Sequence, residues 1–132
     1  MMYDAYISLK EKYKNSIVLI KVGNFYRTYD EDGIILHYLF QYKLLDYQVG
    51  FPVGTLKKVL TKLENKKISY FVNEKLCNSY ENNTYIEVLE KAELYLELKK
   101  DVDDIYQYLT SNIERKYIKN VIHKIKEVID EG

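Results

Sequence analysis

The spacing of apolar residues changes along this chain from helical to alternating and back, and each change predicts a new element. Apolar residues at helical spacing predict a first helix over residues 3–13. The run at 17–20 is short, apolar and rich in β-branched side chains, which is typical of a buried strand. Gly23-Asn24 predicts a turn, and a second strand follows over 25–29.

The strand at 25–29 alternates between two faces. Phe25, Arg27 and Tyr29 share one face, whereas Tyr26 and Thr28 share the other. Burying Phe25 in the sheet exposes Tyr26, and the opposite arrangement satisfies the alternation equally well. The pattern alone therefore leaves open which aromatic ring reaches solvent.

Four further elements complete the first 80 residues. The pattern predicts a mostly apolar, buried helix over 33–42, a strand over 44–49, a helix over 53–65 and a strand over 67–72. Asp30-Glu31-Asp32 precedes the first of these helices, where negative charge is favourable, so we expect the three acids to be solvated. A polar, turn-rich stretch follows over 77–83.

The remainder of the chain is predicted to be helical. Thr84 and Glu87 have the spacing of a capping box, and helical spacing continues to about residue 100. We expect the acidic stretch at 101–104 to interrupt this helix, and Ser111 with Glu114 to begin another. The last helix presents one apolar stripe, formed by Ile118, Val121, Ile122, Ile125 and Ile129.

These elements predict an α/β fold in which helices surround a mixed sheet of four to six strands, followed by a helical C-terminal extension. We expect the α/β domain over residues 1–80 and the extension, packed on it, over 81–132. The 132 residues are 47% hydrophobic and 30% charged, which is the composition of an ordinary globular domain. The single cysteine favours the cytoplasm, and no apolar run suits a signal peptide or a membrane span, so no membrane partner is expected.

Charge is balanced over the whole chain but not along it. The net charge of zero argues against strong non-specific binding of nucleic acid, which depends on many cations. Residues 1–80 hold 12 Lys/Arg against 8 Asp/Glu, whereas residues 81–132 hold 8 against 12, so a local basic face is predicted only in the first part. The 15 tyrosines suit stacking and interfaces, although an AT-rich genome produces the same composition.

Residues able to support catalysis are scarce. His37 lies within an apolar helix and His123 beside the last apolar stripe, so structural and surface roles are expected for them. Cys77 has no CxxC partner, and the chain contains no phosphate-binding loop motif. The acids at 30–32 are interpreted as a helix start rather than a divalent-metal site. We therefore predict a non-enzymatic protein without metal or cofactor.

A group of lysines lies along the predicted third helix and the turn after it. A solvated helix face is the ordinary interpretation, and contact with phosphate is the alternative. The group consists of Lys57, Lys58, Lys62, Lys66 and Lys67.

The segment from Lys12 to Asp32 contains a distinctive order of motifs. A helix and a short polar turn lead into an apolar strand, then Gly23-Asn24-Phe25-Tyr26-Arg27, then an acidic helix start. This order resembles the opening of the mismatch-recognition domain of MutS-type DNA repair proteins, where the corresponding motif is G-D-F-Y-E. The V-G-F-P at 49–52 is similar to the family's G-[FI]-P before a helix, and the resemblance covers about residues 3–75.

The resemblance implies that Phe25 wedges beside a mispaired base, because the family senses mismatches with a Phe-x-Glu pair. Inserting a ring unstacks and kinks the duplex, which is least unfavourable where base pairing is already poor. Arg27 stands in place of the glutamate, and a guanidinium donates hydrogen bonds but accepts none. Arg27 therefore favours contact with phosphate, with guanine acceptors or by stacking. Replacement of the glutamate by arginine is most compatible with binding of distorted, branched or single-stranded nucleic acid.

Two functions are consistent with these features. The first is a stand-alone MutS-like domain that binds mismatched or distorted DNA through Phe25, Tyr26 and Arg27, with Lys57 and Lys58 on phosphate. The second is a protein-interaction module that has lost DNA binding and acts through its C-terminal helices, on a protein partner or as a homodimer. The chain has no room for the family's clamp, lever and ATPase domains.

Overall fold

The described part of this protein is mostly helical, with short strands between the helices. The computed structural model describes residues 2–73, 76–112 and 123–129. The helices are α1 (Met2–Lys12), α2 (Asp30–Phe40), α3 (Leu56–Asn65), α4 (Thr84–Asn112) and α5 (residues 123–129). The strands are β1 (Ile17–Val18), β2 (Ile20–Val22), β3 (Phe25–Tyr29), β4 (Gln48–Pro52), β5 (Tyr70–Asn73) and β6 (Leu76–Asn78). A single 3₁₀ turn, Val53–Thr55, precedes α3.

Two three-stranded sheets replace the single mixed sheet that the sequence predicts, while the α/β class is confirmed. In the first sheet, β1 pairs parallel with β5, and β6 pairs antiparallel with β5. In the second sheet, β3 lies between β2 and β4, and both pairings are antiparallel. The predicted strand at 17–20 is divided between the sheets, because the chain leaves the first sheet after Leu19 and pairs with β3 from Ile20.

The predicted strand at 44–49 is displaced, since β4 begins only at Gln48. Leu45 and Gln48 exchange backbone hydrogen bonds of 3.0 and 2.9 Å around Asp46 and Tyr47, whose φ angles are 50° and 58°. Two left-handed residues in this position make a tight turn that usually contains Asn or Gly, so the sequence gives little sign of it. The structure also contains β6, where the polar composition predicts turns alone.

The main hydrophobic core lies against the inner face of the β2–β3–β4 sheet. Helices α2 and α3, the other sheet and the first turns of α4 pack together there, which agrees with the predicted burial of the second helix. Its buried members include Leu19, Tyr26, Ile35, Leu36, Val49, Phe51, Val59, Leu63, Ile68, Tyr85 and Ala92. A smaller cluster of Tyr6, Val18 and Tyr29 joins α1 to β1 and β3.

A buried carboxylate joins four elements of the fold. Asp32 is fully buried and accepts hydrogen bonds from the Tyr6 hydroxyl (2.8 Å), the Lys10 ammonium (2.7 Å), the Tyr85 hydroxyl (2.5 Å) and the Val18 N–H (3.1 Å). The prediction of solvated acids is therefore wrong for Asp32. Burial raises the pKa of Asp32 above its usual value, against the lowering effect of Lys10 and the other donors. Burial also raises the pKa of both tyrosines.

The two histidines have the structural and surface positions that the sequence predicts. His37 is buried in α2, and its Nδ1 lies 2.6 Å from the Tyr42 carbonyl oxygen. His123 is exposed on α5 and lies 2.9 Å from the Glu127 carboxylate. Within the described residues, no group of three or more His, Cys, Asp or Glu is arranged to hold a metal ion.

Helix α4 runs without a break for 29 residues, so the predicted interruption at 101–104 is wrong. Aspartate lowers helix propensity only modestly, and the exposed Asp101, Asp103 and Asp104 surround Val102, whose burial stabilises this turn. Ser111 lies inside α4 rather than at the start of a new helix, and Glu114 falls outside the described residues.

The predicted last helix is confirmed over residues 123–129. Ile125 and Ile129 are partly buried there, as expected of its apolar stripe. The other predicted members of that stripe, Ile118, Val121 and Ile122, lie outside the described residues.

The chain divides into two compact units, Met1–Ala92 and Glu93–Gly132. The first unit contains both sheets, α1 to α3 and the opening turns of α4, whose Tyr85 and Ala92 belong to the main core. The second unit contains the rest of α4 and α5. The described residues include no helix long and apolar enough to cross a membrane.

Candidate nucleic-acid interface

The outer face of the β2–β3–β4 sheet is open to solvent at one end. Phe25 lies on the central strand, with Val22 beside it on β2 and Pro52 on β4. Arg27 is the next residue on the same face, flanked by Ile20 and Gly50. Because β3 is the central strand, these two side chains stand in the middle of the face rather than at an edge.

The structure decides which aromatic ring of β3 reaches solvent. Phe25 is 44% exposed, whereas Tyr26 is 9% exposed and stacks on Phe51 inside the main core, with ring centroids 5.9 Å apart. The interpretation of Phe25 as a buried strand aromatic with Tyr26 on the exposed side is therefore wrong. Tyr26 is also removed from the candidate contact residues, because its ring faces the core.

Helix α1 covers the other end of the same face. Tyr29 follows Arg27 in the alternation, yet it is only 6% exposed. Its ring lies 5.2 Å from that of Tyr6 and 5.5 Å from that of Tyr3, both on α1. The helix thus closes the sheet beyond Arg27 and leaves Phe25 and Arg27 uncovered, and this contact limits the open area to a short patch.

The side chain of Arg27 lies beside a glycine of the neighbouring strand. A Cβ atom added at Gly50 would stand 3.6 Å from Cγ of Arg27, an ordinary contact distance. Within the described part of the chain, no hydrogen bond or ion pair engages the Arg27 guanidinium. Its five N–H donors are therefore available to a ligand above the sheet.

The chain passes directly from this patch into the lysine-bearing helix. Pro52, the partner of Phe25, is followed by the 3₁₀ turn, and the Val53 N–H donates to the Asn24 carbonyl at 3.0 Å. Lys57 and Lys58 are exposed on the first turn of α3. The helix N-terminus adds partial positive charge to these two ammonium groups, so this end of the molecule favours anions.

A groove of about 740 Å³ runs between α3 and the C-terminal end of α2, and Lys57, Lys58 and Lys62 line it. Lys62 is already engaged, because its ammonium donates to the Leu39 carbonyl at 2.6 Å and stands 5.0 Å above the Phe40 ring. Lys57 and Lys58 have no such partner among the described residues. These two lysines are therefore the cations of the groove that remain available to phosphate.

Four of the five predicted contact residues are exposed, namely Phe25, Arg27, Lys57 and Lys58. Sequence reasoning missed Val22, Gly50 and Pro52, which flank the two strand residues. Their position depends on the pairing register of three strands, and a period-two pattern carries no information about which strands pair. The V-G-F-P motif at 49–52 was the available signal for β4.

Comparison with known proteins gives two matches. A protein-family model described as MutS domain I matches residues 1–83. The DNA mismatch repair protein MutS of Borreliella afzelii (strain PKo) is 30% identical over 96 residues, which cover 68% of this chain and 10% of that protein. This chain thus spans about a tenth of the length of that relative. The family match includes all four exposed candidate residues.

Proposed function

The chain belongs to the MutS domain I family, and from this premise we propose that it binds mismatched or distorted DNA without catalysing a reaction. The observation that supports the proposal best is the open patch on β3. An apolar ring that is 44% exposed stands there beside an arginine whose guanidinium has no partner among the described residues. An aromatic ring supplies a stacking surface for a base, and an adjacent guanidinium supplies the charge that nucleic acid requires.

The chemistry of Arg27 determines which DNA suits the patch. A guanidinium donates to phosphate oxygens and to the O6 and N7 acceptors of guanine, but it accepts no hydrogen bond from a base. Phe25 therefore acts as the wedge in this proposal, and Arg27 holds the distorted strand through phosphate or guanine. We therefore expect a preference for distorted over regular duplex, because the bases of distorted DNA are already partly unstacked and the ring can insert at a lower free-energy cost.

Lys57 and Lys58 have a different part in the proposal. Their ammonium groups neutralise phosphates next to the wedge, and each neutralised phosphate releases counterions and makes binding salt-dependent. Such contacts add affinity without sequence preference. The zero net charge of the chain is compatible with this arrangement, because the contact needs a local basic patch rather than an excess of cations overall.

The test is a fluorescence-anisotropy titration of the full chain against matched duplex, mismatched duplex and single-stranded DNA at several salt concentrations. We expect Phe25→Ala to weaken binding of mismatched DNA by about tenfold, within the roughly 1–3 kcal/mol that stacking of one base contributes. The double variant Lys57→Gln/Lys58→Gln should reduce the slope of log K against log salt by about 1.8, the value for two phosphates.

Two matched controls separate these effects from general damage. Leu45→Ala removes an exposed apolar side chain from the turn before β4, and Lys91→Gln/Lys100→Gln removes two exposed lysines of α4. Both should leave DNA binding unchanged. If none of the three DNAs shows salt-sensitive binding, the proposal is contradicted. Binding that Phe25→Ala leaves intact would contradict the wedge while leaving DNA binding in place.

A second candidate function is binding of a protein partner through the C-terminal helices, and a specific observation on α4 favours it. Leu94, Leu98 and Ile105 are 55%, 37% and 40% exposed on this helix. Exposed large apolar residues in a row are typical of interaction surfaces. Both functions can belong to one protein, because the residues involved lie in different compact units. The cytoplasm stays our prediction for the compartment.

A further inference from the structure

A row of exposed residues on α4, most of them apolar, follows a heptad pattern. Leu94, Leu98, Asp101, Ile105 and Tyr108 are separated by alternating steps of four and three residues, and we call this row the α4 seam. Steps of four and three keep residues on one narrow line of a helix, as in the seam of a two-helix coiled coil. The row spans 15 residues, or roughly 21 Å of helix.

The α4 seam is distinct from the side of α4 that is already occupied. Val102 and Leu109 are 9% and 8% exposed, so they mark the buried side of this part of the helix. Tyr95 and Val102 line a cavity of about 270 Å³ together with Lys126 and Ile129 of α5. The seam residues lie beside that face and stay exposed, from 37% at Leu98 to 64% at Tyr108.

The charges of the α4 seam are negative. Asp101 stands in its centre. Glu97 and Asp104 lie along one flank of the seam, because each immediately precedes a seam residue. All three are exposed. Negative charge here disfavours nucleic acid, whose phosphates would be repelled. It also opposes pairing with a second copy, because a parallel symmetric pair places Asp101 opposite Asp101 of the other chain.

We propose that the α4 seam binds one amphipathic helix of a protein partner, with a Lys or Arg of that helix opposite Asp101 and further basic residues facing Glu97 and Asp104. The proposal rests on the second function above and specifies its surface and the chemistry of its partner. Apolar residues of the partner pack between Leu94, Leu98 and Ile105. The central carboxylate then selects a basic helix, because an uncharged or acidic helix leaves Asp101 desolvated without a cation.

The experiment uses the full chain and three fluorescein-labelled helical peptides of equal length, with Leu at every seam position except the one opposite Asp101. The peptides differ only in the position opposite Asp101 and in the flanking positions, which are all Lys, all Gln or all Glu. Like charges keep the Lys and Glu peptides from pairing with themselves. We expect the Lys peptide to bind at least about tenfold more tightly than the Gln peptide, and the Glu peptide to bind least.

Variants of the chain locate the binding. Leu98→Ser/Ile105→Ser should abolish binding of the Lys peptide, whereas Glu93→Ser/Lys100→Ser, two exposed positions of the same helix away from the seam, should leave it unchanged. Asp101→Asn should weaken binding of the Lys peptide about fivefold and strengthen binding of the Gln peptide, because the carboxylate that the Gln peptide leaves uncompensated is gone. Circular dichroism of each variant establishes that α4 is still formed.

Three outcomes would overturn the proposal, each in a different way. Equal binding of the three peptides at the seam removes the charge selection but leaves an interaction role for the C-terminal helices. Sedimentation showing a dimer that Leu98→Ser/Ile105→Ser dissociates makes a second copy the occupant. Failure of all three peptides to bind overturns the seam as the docking surface, while DNA binding by the first unit is measured independently.

Discussion

At the scale of single residues, Thr28 carries a buried hydroxyl on the central strand of the β2–β3–β4 sheet. Its side chain is fully buried, and Oγ1 has no hydrogen-bond partner among the described residues. Leaving such a group unpaired costs roughly 1–3 kcal/mol. We expect Thr28→Val to raise the free energy of unfolding by about 1 kcal/mol, because the two side chains have nearly the same shape. Urea unfolding followed by circular dichroism measures the change.

Thr61→Val is the matched control for this change. Thr61 is exposed on α3, and its hydroxyl donates to the Lys57 carbonyl at 2.8 Å. Replacing it removes a hydrogen bond that water can substitute, so stability should move by less than about 0.5 kcal/mol. A Thr28→Val protein that unfolds at lower urea than wild type would show that the hydroxyl is satisfied in solution.

Lys10 is the cation that makes the burial of Asp32 tolerable. Besides Asp32, its ammonium donates to the Ser16 carbonyl at 2.6 Å and the Tyr85 hydroxyl at 3.0 Å. Lys10→Met leaves a buried carboxylate without its counter-charge, so we expect a loss of about 3 kcal/mol at neutral pH. Lys12→Met, at an exposed position of the same helix, should have little effect.

The loss caused by Lys10→Met should depend on pH in a defined direction. Burial already raises the pKa of Asp32, and removing Lys10 raises it further. Between the unfolded pKa of about 3.9 and the higher folded pKa, the folded state binds more protons than the unfolded state, so stability increases as pH falls through this window. Urea unfolding at pH 7 and pH 5 should therefore show a smaller deficit at pH 5. An equal deficit at both values would mean that Asp32 is not the group left uncompensated.

At the scale of elements, α2 is packed against the turn before β4 so closely that it requires a glycine. A Cβ atom added at Gly33 would stand 3.1 Å from the Tyr47 carbonyl oxygen, which belongs to the backbone and cannot swing away. In a helix interior, alanine is normally more favourable than glycine by about 1 kcal/mol of free energy. Here we expect Gly33→Ala to destabilise the protein by about 1–2 kcal/mol, because the helix must shift from the turn.

Gly54→Ala is the comparison for this contact. Nothing lies within 4 Å of a Cβ added at Gly54, so the substitution should be neutral. Thermal unfolding of the two variants side by side separates the steric effect from the general effect of adding a methyl group. If Gly33→Ala is as stable as Gly54→Ala, α2 and the turn are less closely packed than the structure indicates.

The elements also show what a one-dimensional pattern can predict. The β-branched run, the Gly23-Asn24 turn and the amphipathic third helix are local features, and the structure has an element at each. The displaced β4 and the unbroken α4 were missed for a shared reason. Asp46 and Tyr47 adopt a left-handed turn, and acidic residues around Val102 stay helical. Both conformations contradict the local conformational preference of these residues, which long-range packing overrides.

At the scale of the whole molecule, truncation tests where the first compact unit, which contains both sheets, ends. The first compact unit ends at Ala92, whereas the composition of the sequence favours a boundary after residue 80. Tyr85 is 3% exposed and bonds to Asp32, so residues 84–92 contribute to the main core. We expect a chain ending at residue 92 to unfold cooperatively, and one ending at residue 80 to be less stable by at least about 2 kcal/mol.

The measurement is urea unfolding of both truncated chains beside the full chain, with circular dichroism and tyrosine fluorescence as independent probes. Coincident transitions for the chain ending at residue 92 support a first unit that includes the opening turns of α4. Equal stability of the two truncated chains would instead place the boundary at residue 80.

The sequence by itself determined the α/β class, the family and the shared face of Phe25 and Arg27, because these depend on the order and period of residues along the chain. Only the tertiary structure decided that Phe25 is exposed while Tyr26 is buried, and that Asp32 lies inside the core. Periodicity states which side chains share a face but not which face is covered. In this protein the main core, with α2 and α3, covers the face that carries Tyr26, whereas α1 packs on the opposite face over Tyr29 and Phe25 stays exposed there.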